Sequence, residues 1–458
     1  MPLLRQHHHK EAKDAKSIAL MSPSLKQKAL AFLSPDFITT VATQLGLGWR
    51  ETPLALPNLV AWFARQILGG NLSMPELARR AGSQFTPEAY CMARGRLPLQ
   101  LLRELLKGIC ALGDHQVHDR AEMLWRGHRL WHMDGSHFSM PDTPQLQKAF
   151  GQPGQQRQAC GFPVAHILCL FHVGSGLIRD CILSLLRTHD MAKAGQLHPQ
   201  LRVGDIVVAD RAFENYVHAA LLIGQGLHLL TPVHQKRKVD FRRSRRRSGK
   251  RLQRIERQRL RRCGHCDQTI RWRKPQQKPK WLPQEQFDAL PDTIDMREIK
   301  RVVRLPSGQK QTIVLTTTLL DARQYPAEEL LEILKDRWSV EVNLRHLKTT
   351  MKMEVLRSKT AAGIEKELWM FLIVYNLVRL VMLEAAQLQG VPLRRISFAD
   401  ALYWVRHGDL GSPMPKLLVT PDRPGRIEPR AVKRRPKEYD LLSRPRQVFR
   451  NSLRRRRK

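Results

Sequence analysis

Acidic residues are scarce: 41 Asp and Glu stand against 78 Lys and Arg in 458 residues, a formal net charge of +37. That excess is far beyond what solubility needs, so a polyanion is the natural counter-surface, with DNA, ribosomal RNA and membrane surfaces all open on charge alone. Any credible membrane span is also lacking. The most apolar stretch, Trp369 to Leu380, is interrupted by Asn376 and Arg379 and reads as a buried helix. The first twenty residues are polar and basic, so no secretory leader is expected. Cysteines number seven, an odd count mostly in apolar surroundings, which points to a reducing cytoplasm. Cys263 and Cys266 form the one pair at metal-ligand spacing, but no second pair and no spaced histidines follow, so structural zinc is not expected. His7 to His9 read as a tail feature, and no internal repeat is apparent.

What the chain has in excess is clustered. Fifteen of the 27 positions from Lys236 to Arg262 are Lys or Arg, and the sequence ends Arg454-Arg455-Arg456-Arg457-Lys458. Such runs hold phosphate backbones without reading bases, or stay as solvated charge.

Against this basic background three acids stand out. Asp134 follows the strand-like Leu130-Trp131-His132-Met133 and precedes Gly135-Ser136, which places it at a strand end before a turn. Asp210 closes Ile206-Val207-Val208-Ala209, a short apolar run of the kind that forms a parallel strand buried on both faces. Carboxyl ends of strands in open α/β sheets are where ligands bind. Glu341 lies within Leu330 to Met351, a stretch without Gly or Pro that reads as one helix. Arg337, Glu341 and Lys348 are spaced by four and seven residues, which at about 100° per residue puts them on one narrow face. Hard cations held by such acids can polarise a scissile phosphate, activate water and neutralise a leaving oxygen, and oxygen ligands suit Mg or Mn.

These blocks, together with Pro141-Asp142-Thr143-Pro144, Phe150-Gly151 and Tyr325-Pro326-Ala327, resemble the insertion-sequence family four transposases of the DDE superfamily. That family's signature is Tyr, two residues, Arg, three residues, Glu, six residues, Lys. Arg337, Glu341 and Lys348 stand at that spacing, with Leu334 in the Tyr position. The resemblance implies a bacterial cut-and-paste transposase with a ribonuclease H-like core. It makes Asp134, Asp210 and Glu341 catalytic residues and ligands of two Mg or Mn ions, and Arg337, Lys348 and Arg211 contacts to double-stranded DNA. It further implies action on transposon ends and target, a homodimer in the DNA complex, and a cytoplasmic, nucleoid-associated protein. A metal-dependent nuclease of the same fold and an idle DNA-binding descendant are the alternatives.

The expected organisation is an α/β fold with a mixed five-stranded sheet in which the two Asp-bearing strands are neighbours. Residues 1–25 form a mobile basic tail. A helical DNA-binding domain follows over 26–115, in which Ser73 to Gly82 and Pro87 to Arg94 make either a helix-turn-helix or part of a plain bundle. The catalytic core covers 116–234 and 325–400, and a basic C-terminal tail 401–458. Residues 235–324 form a β-rich insertion, as the resemblance implies. Better-known relatives stack a flipped base on a tryptophan there, and this chain offers only Trp272 and Trp281.

Overall fold

The computed structural model describes residues 31, 33–114, 120–237, 239–241, 257–304, 310–408, 413–419 and 439–456. The polar tail to residue 25 and most of the basic run lie outside them. Five helices come first: α1 (Pro35–Gln44), α2 (Leu56–Leu68), α3 (Met74–Arg80), α4 (Pro87–Arg96) and α5 (Leu99–Gly113). Ser34, Ser73 and Thr86 open α1, α3 and α4, each hydroxyl accepting from the amide three residues on, with proline in the first two helical positions. Proline there lacks an amide that would have been orphaned. In α2 the buried Leu59, Val60, Phe63, Ala64 and Ile67 recur at helical spacing, as do Leu101, Leu102, Leu105 and Ile109 in α5.

The strands are β1 (Leu130–Ser139), β2 (Val164–His172), β3 (Ile178–Leu185), β4 (Ile206–Ala209), β5 (His228–Pro232), β6 (Arg257–Gly264), β7 (Asp267–Arg273), β8 (Thr293–Arg304) and β9 (Lys310–Thr317). They make one nine-stranded mixed sheet in the order β3-β2-β1-β4-β5-β9-β8-β7-β6. Among these nine strands β1–β4 and β4–β5 pair in parallel and the others antiparallel. The expected five-stranded set with β1 beside β4 is present, but the sheet does not end there. Leu230 of β5 pairs antiparallel with Thr317 of β9, so the segment between the second and third acids extends the same sheet. Strand β6 is hidden in the sequence because Arg257 to Arg262 shows no apolar alternation; it is held by its hairpin partner β7. Cys263-Gly264-His265-Cys266 lies at that hairpin's turn, with Cys266 at φ 53°.

The later helices are α6 (Tyr216–Ile223), α7 (Ala327–Asp336), α8 (Trp338–Arg345), α9 (Ala361–Leu388), α10 (Phe398–His407) and α11 (Arg446–Arg456). Among the described residues α9 is long and apolar enough to cross a membrane, yet 94% of its apolar window is buried inside the fold. It is the central post of an apolar core shared by α1–α5, one face of β1–β3, α8 and α10. Its polar interruptions serve the β2–β3 hairpin. Asn376 Oδ1 accepts from Ile178 N and its Nδ2 donates to Ile178 O, both at 2.8 Å. Arg379 donates to Ser175 O at 2.9 and 2.6 Å, and Tyr375 Oη to Gly176 O at 2.9 Å. These side chains give buried backbone groups at the edge strand the partners a neighbouring strand would have supplied. Asn376→Leu leaves the Ile178 amide and carbonyl unpaired and is expected to lower stability by about 2–4 kcal/mol, read as an earlier denaturant midpoint at unchanged slope.

Candidate active site

The parallel register of β1 and β4 sets the site. Met133 faces Ala209 as their last pair, so Asp134 and Asp210 emerge side by side on backbones about 4.8 Å apart. Asp210 sits at the carboxyl end of its strand, where its Oδ1 accepts from Ala212 N at 2.8 Å and its carbonyl from Thr231 Oγ1 at 2.7 Å. Asp134 is not at a strand end. β1 continues to Ser139 because Asp134, Gly135 and Ser136 pair with Cys169, Leu168 and Ile167 of β2, a non-local partner that keeps Gly-Ser extended.

The third acid arrives on α8, which packs against β1. The expected single helix is broken in two places. It bends at Arg337, which ends α7 and starts α8, and after Arg345 it relaxes into a π turn over His346–Thr350. Arg337 and Glu341 remain one turn apart, joined at 3.2 Å through Arg337 Nη2 and Glu341 Oε1. Arg337 Nη1 also lies 3.9 Å from Asp134 Oδ2, so one guanidinium bridges two acids. Lys348 falls inside the π turn, whose wider winding shifts its angle from that of a regular helix. It lines a separate depression with Lys352 and Arg357.

Burial dominates at Asp134. Its carboxyl is raised to about 6, first by desolvation and also by the charges of Asp210 and Asp190, against the opposing pull of Gly135 N, at 2.8 Å, and of Arg337. Two residues earlier His132 is fully buried with neither ring nitrogen hydrogen-bonded, and burial pushes its pKa down to about 3, so it stays neutral.

Arg211 is exposed beside Asp210, and with Arg237, Lys300, Lys335 and Arg337 it lines a basic groove of about 470 Å³. Leu334, in the signature Tyr position, is buried with Val208 and Leu230 at the margin of this groove and offers no hydroxyl. Neither tryptophan forms an open platform: Trp272 is buried beneath Arg237, whose guanidinium lies 4.7 Å from the ring centre, and Trp281 packs against the core.

A further pair carries no local signal in the chain. His166 Nε2 and Asp190 Oδ1 meet at 2.8 Å and press against Gly135, where an added Cβ would lie 2.6 Å from the imidazole and 2.8 Å from the carboxylate. The β1–β2 register brings His166 there, opposite His137 on β1, and Asp190 arrives at the start of the short helix Met191–Ala194 that follows β3.

With this geometry in hand, similarity to known proteins fixes the class. Residues 125–377, more than half of the chain, match the Transposase DDE domain family, and the chain belongs to that family. Over 439 residues it is 26% identical to the transposase InsG for insertion sequence element IS4 of Escherichia coli (strain K12), spanning 89% of this chain and 92% of that protein. A solved structure, the piggyBac transposase synaptic complex with hairpin DNA, aligns at a TM-score of 0.41 and 9% identity over 84% of this chain and 80% of its own. The chain is therefore a DDE transposase of the insertion-sequence family four kind, an enzyme acting on DNA with divalent metal ions.

Among the described residues no three His, Cys, Asp or Glu side chains are drawn close enough to enclose an ion. The donor chemistry nevertheless fits one: three carboxylates supply hard oxygens, Asp134 is held in an environment that disfavours its lone charge, and the cation between Asp134 and Glu341 is a guanidinium. Because the folded state holds a proton on Asp134 up to about pH 6, the unfolded chain ionises first as pH rises from about 4. Stability of the metal-free protein should fall across that window, by up to about 3 kcal/mol. Asp134→Asn should therefore melt higher than the wild type at pH 7 without metal, with the gap shrinking towards pH 4; a lower melting point at pH 7 would contradict this origin.

Proposed function

We propose that Asp134, Asp210 and Glu341 are the catalytic acids and metal ligands of one DNA strand-cutting and strand-joining site, on a ribonuclease H-like core built from β1–β5. The observation that carries this reading is the β1–β4 register, which sets Asp134 beside Asp210 while α8 brings Glu341 within reach of the same guanidinium. Two Mg or Mn ions held there would supply Lewis acidity, activating an attacking oxygen and neutralising the leaving one.

The protein's own side chains do the positioning. Arg337, freed from the acids once they held cations, would face the scissile phosphate, while Arg211 and Lys348 would hold flanking phosphates. Water attacks phosphorus and gives up its proton as the bond to the 3' oxygen breaks, leaving a 5' phosphate and a 3' hydroxyl. That hydroxyl then attacks a phosphodiester of the other strand, and later of the target, losing its proton as the displaced oxygen departs. The relative is named as the transposase of an insertion sequence element, which supports terminal inverted repeats as the substrate here. Residues 26–115 would bind the repeat, 235–324 would cover the DNA, and two protomers would pair two ends on the bacterial nucleoid.

The test is incubation of purified protein with Mg and labelled DNA carrying the element's flanking repeats, scored for cuts and for joined products. Wild type should give both, and Asp134→Asn, Asp210→Asn and Glu341→Gln should each lose about 100-fold or more of both while still retaining the DNA. Cuts without joining would make the protein a nuclease, and retention with neither, under Mn as well, a DNA-binding relic.

A further inference from the structure

Beyond α8 the chain builds a second cationic depression, of about 400 Å³. After the π turn it reverses at Lys352, whose φ of 65° is left-handed, and Glu354 N returns to Lys348 O at 3.1 Å. Facing this loop are Gly70 and Asn71, between α2 and α3, themselves at φ 82° and 58°. Lys348, Lys352 and Arg357 line the depression with them, and Glu354 is the only acid in the lining. Lys352 and Arg357 are exposed, and Lys352 carries its charge on left-handed backbone that favours glycine.

Both walls are fixed. Glu367, fully buried, accepts from Asn71 Nδ2 at 2.7 Å, Arg357 N at 2.9 Å, Ser358 N at 2.9 Å and Ser358 Oγ at 2.6 Å, tying the α2–α3 connection to the loop. On the other side Ser139, the last residue of β1, donates to Glu354 O and accepts from Leu356 N, both at 3.0 Å. The backbone that carries the cations is therefore tied both to β1, the strand of Asp134, and to the amino-terminal helices.

From this we infer that Lys352 and Arg357 each bind a backbone phosphodiester of DNA at the junction between the amino-terminal helices and the core, fixing how far bound duplex reaches into the site. The inference rests on the reading that DNA enters beside Asp134, but its test needs no chemistry. Binding of a labelled duplex of arbitrary sequence is measured without divalent metal across a salt series, because each phosphate contact adds about 0.9 to the slope of log affinity against log salt. The Lys352→Gly, Arg357→Gln double variant should lower that slope by about two and Lys352→Gly alone by about one; glycine suits the left-handed backbone, so the single variant removes charge without backbone strain. An unchanged slope in folded variants overturns the inference even if cutting and joining are normal. Calorimetric binding of inorganic phosphate that the double variant loses, with the DNA slope unaltered, would assign the depression to a free anion and overturn it as well. Loss of cutting in the catalytic variants with the slope effect intact would leave it standing.

Discussion

The parallel pairing of β1 with β4 is the constraint on which the rest depends. Because side chains alternate across a sheet, a slip of one residue would send Asp134 to the opposite face from α8. The register is held from both sides. β4 is a four-residue strand buried throughout, and β1 is clamped along its length by β2, from Trp131 opposite His172 to Ser139 opposite Val164. One wall of that clamp leans on α9, through Asn376 and Arg379 on the β2–β3 hairpin. Apolar packing supplies the bulk of the stabilisation, while a few buried hydrogen bonds choose the register.

The site is arranged for a charge state the isolated chain disfavours. Asp134 is desolvated, with Asp210 and Asp190 adding like charge, and the answering cation is a guanidinium shared with Glu341. A fixed, fully neutralised cluster would be more stable and of less use. A bridging arginine at 3.2 and 3.9 Å from the two carboxylates is a contact that can be exchanged for another cation without moving the acids. Acids held in place at some expense to the fold are the familiar trade between stability and activity.

Much of this was readable from local sequence, and what was not has a common cause. The four-residue apolar run before Asp210 specifies a buried strand by itself, and the spacing of Arg337 and Glu341 gives their contact directly. Non-local pairing decided the remainder. Asp134 lies inside a strand because β2 holds Gly135 and Ser136 extended. The His166–Asp190 pair reaches Gly135 because β2 pairs with β1 and the chain after β3 folds back over it. Strand β6 exists because β7 pairs with a sequence of arginines, and the five-stranded sheet runs on because β5 finds β9. No window of a dozen residues contains that information.

The π turn after α8 has the largest consequence of these departures. Had the helix run on, Lys348 would have shared the face of Arg337 and Glu341 and crowded a third charge onto the acids. The wider winding, followed by the reversal at Lys352, shifts the angle of Lys348 and lets the next segment pair with the end of β1. Cations then lie on two sides of the acids: the groove of Arg211, Arg237 and Lys300 towards β5 and β9, and the depression of Lys352 and Arg357 towards the amino-terminal helices. Two depressions lined by cations, one against β9 and one against the amino-terminal helices, thus follow from a helix that does not run on.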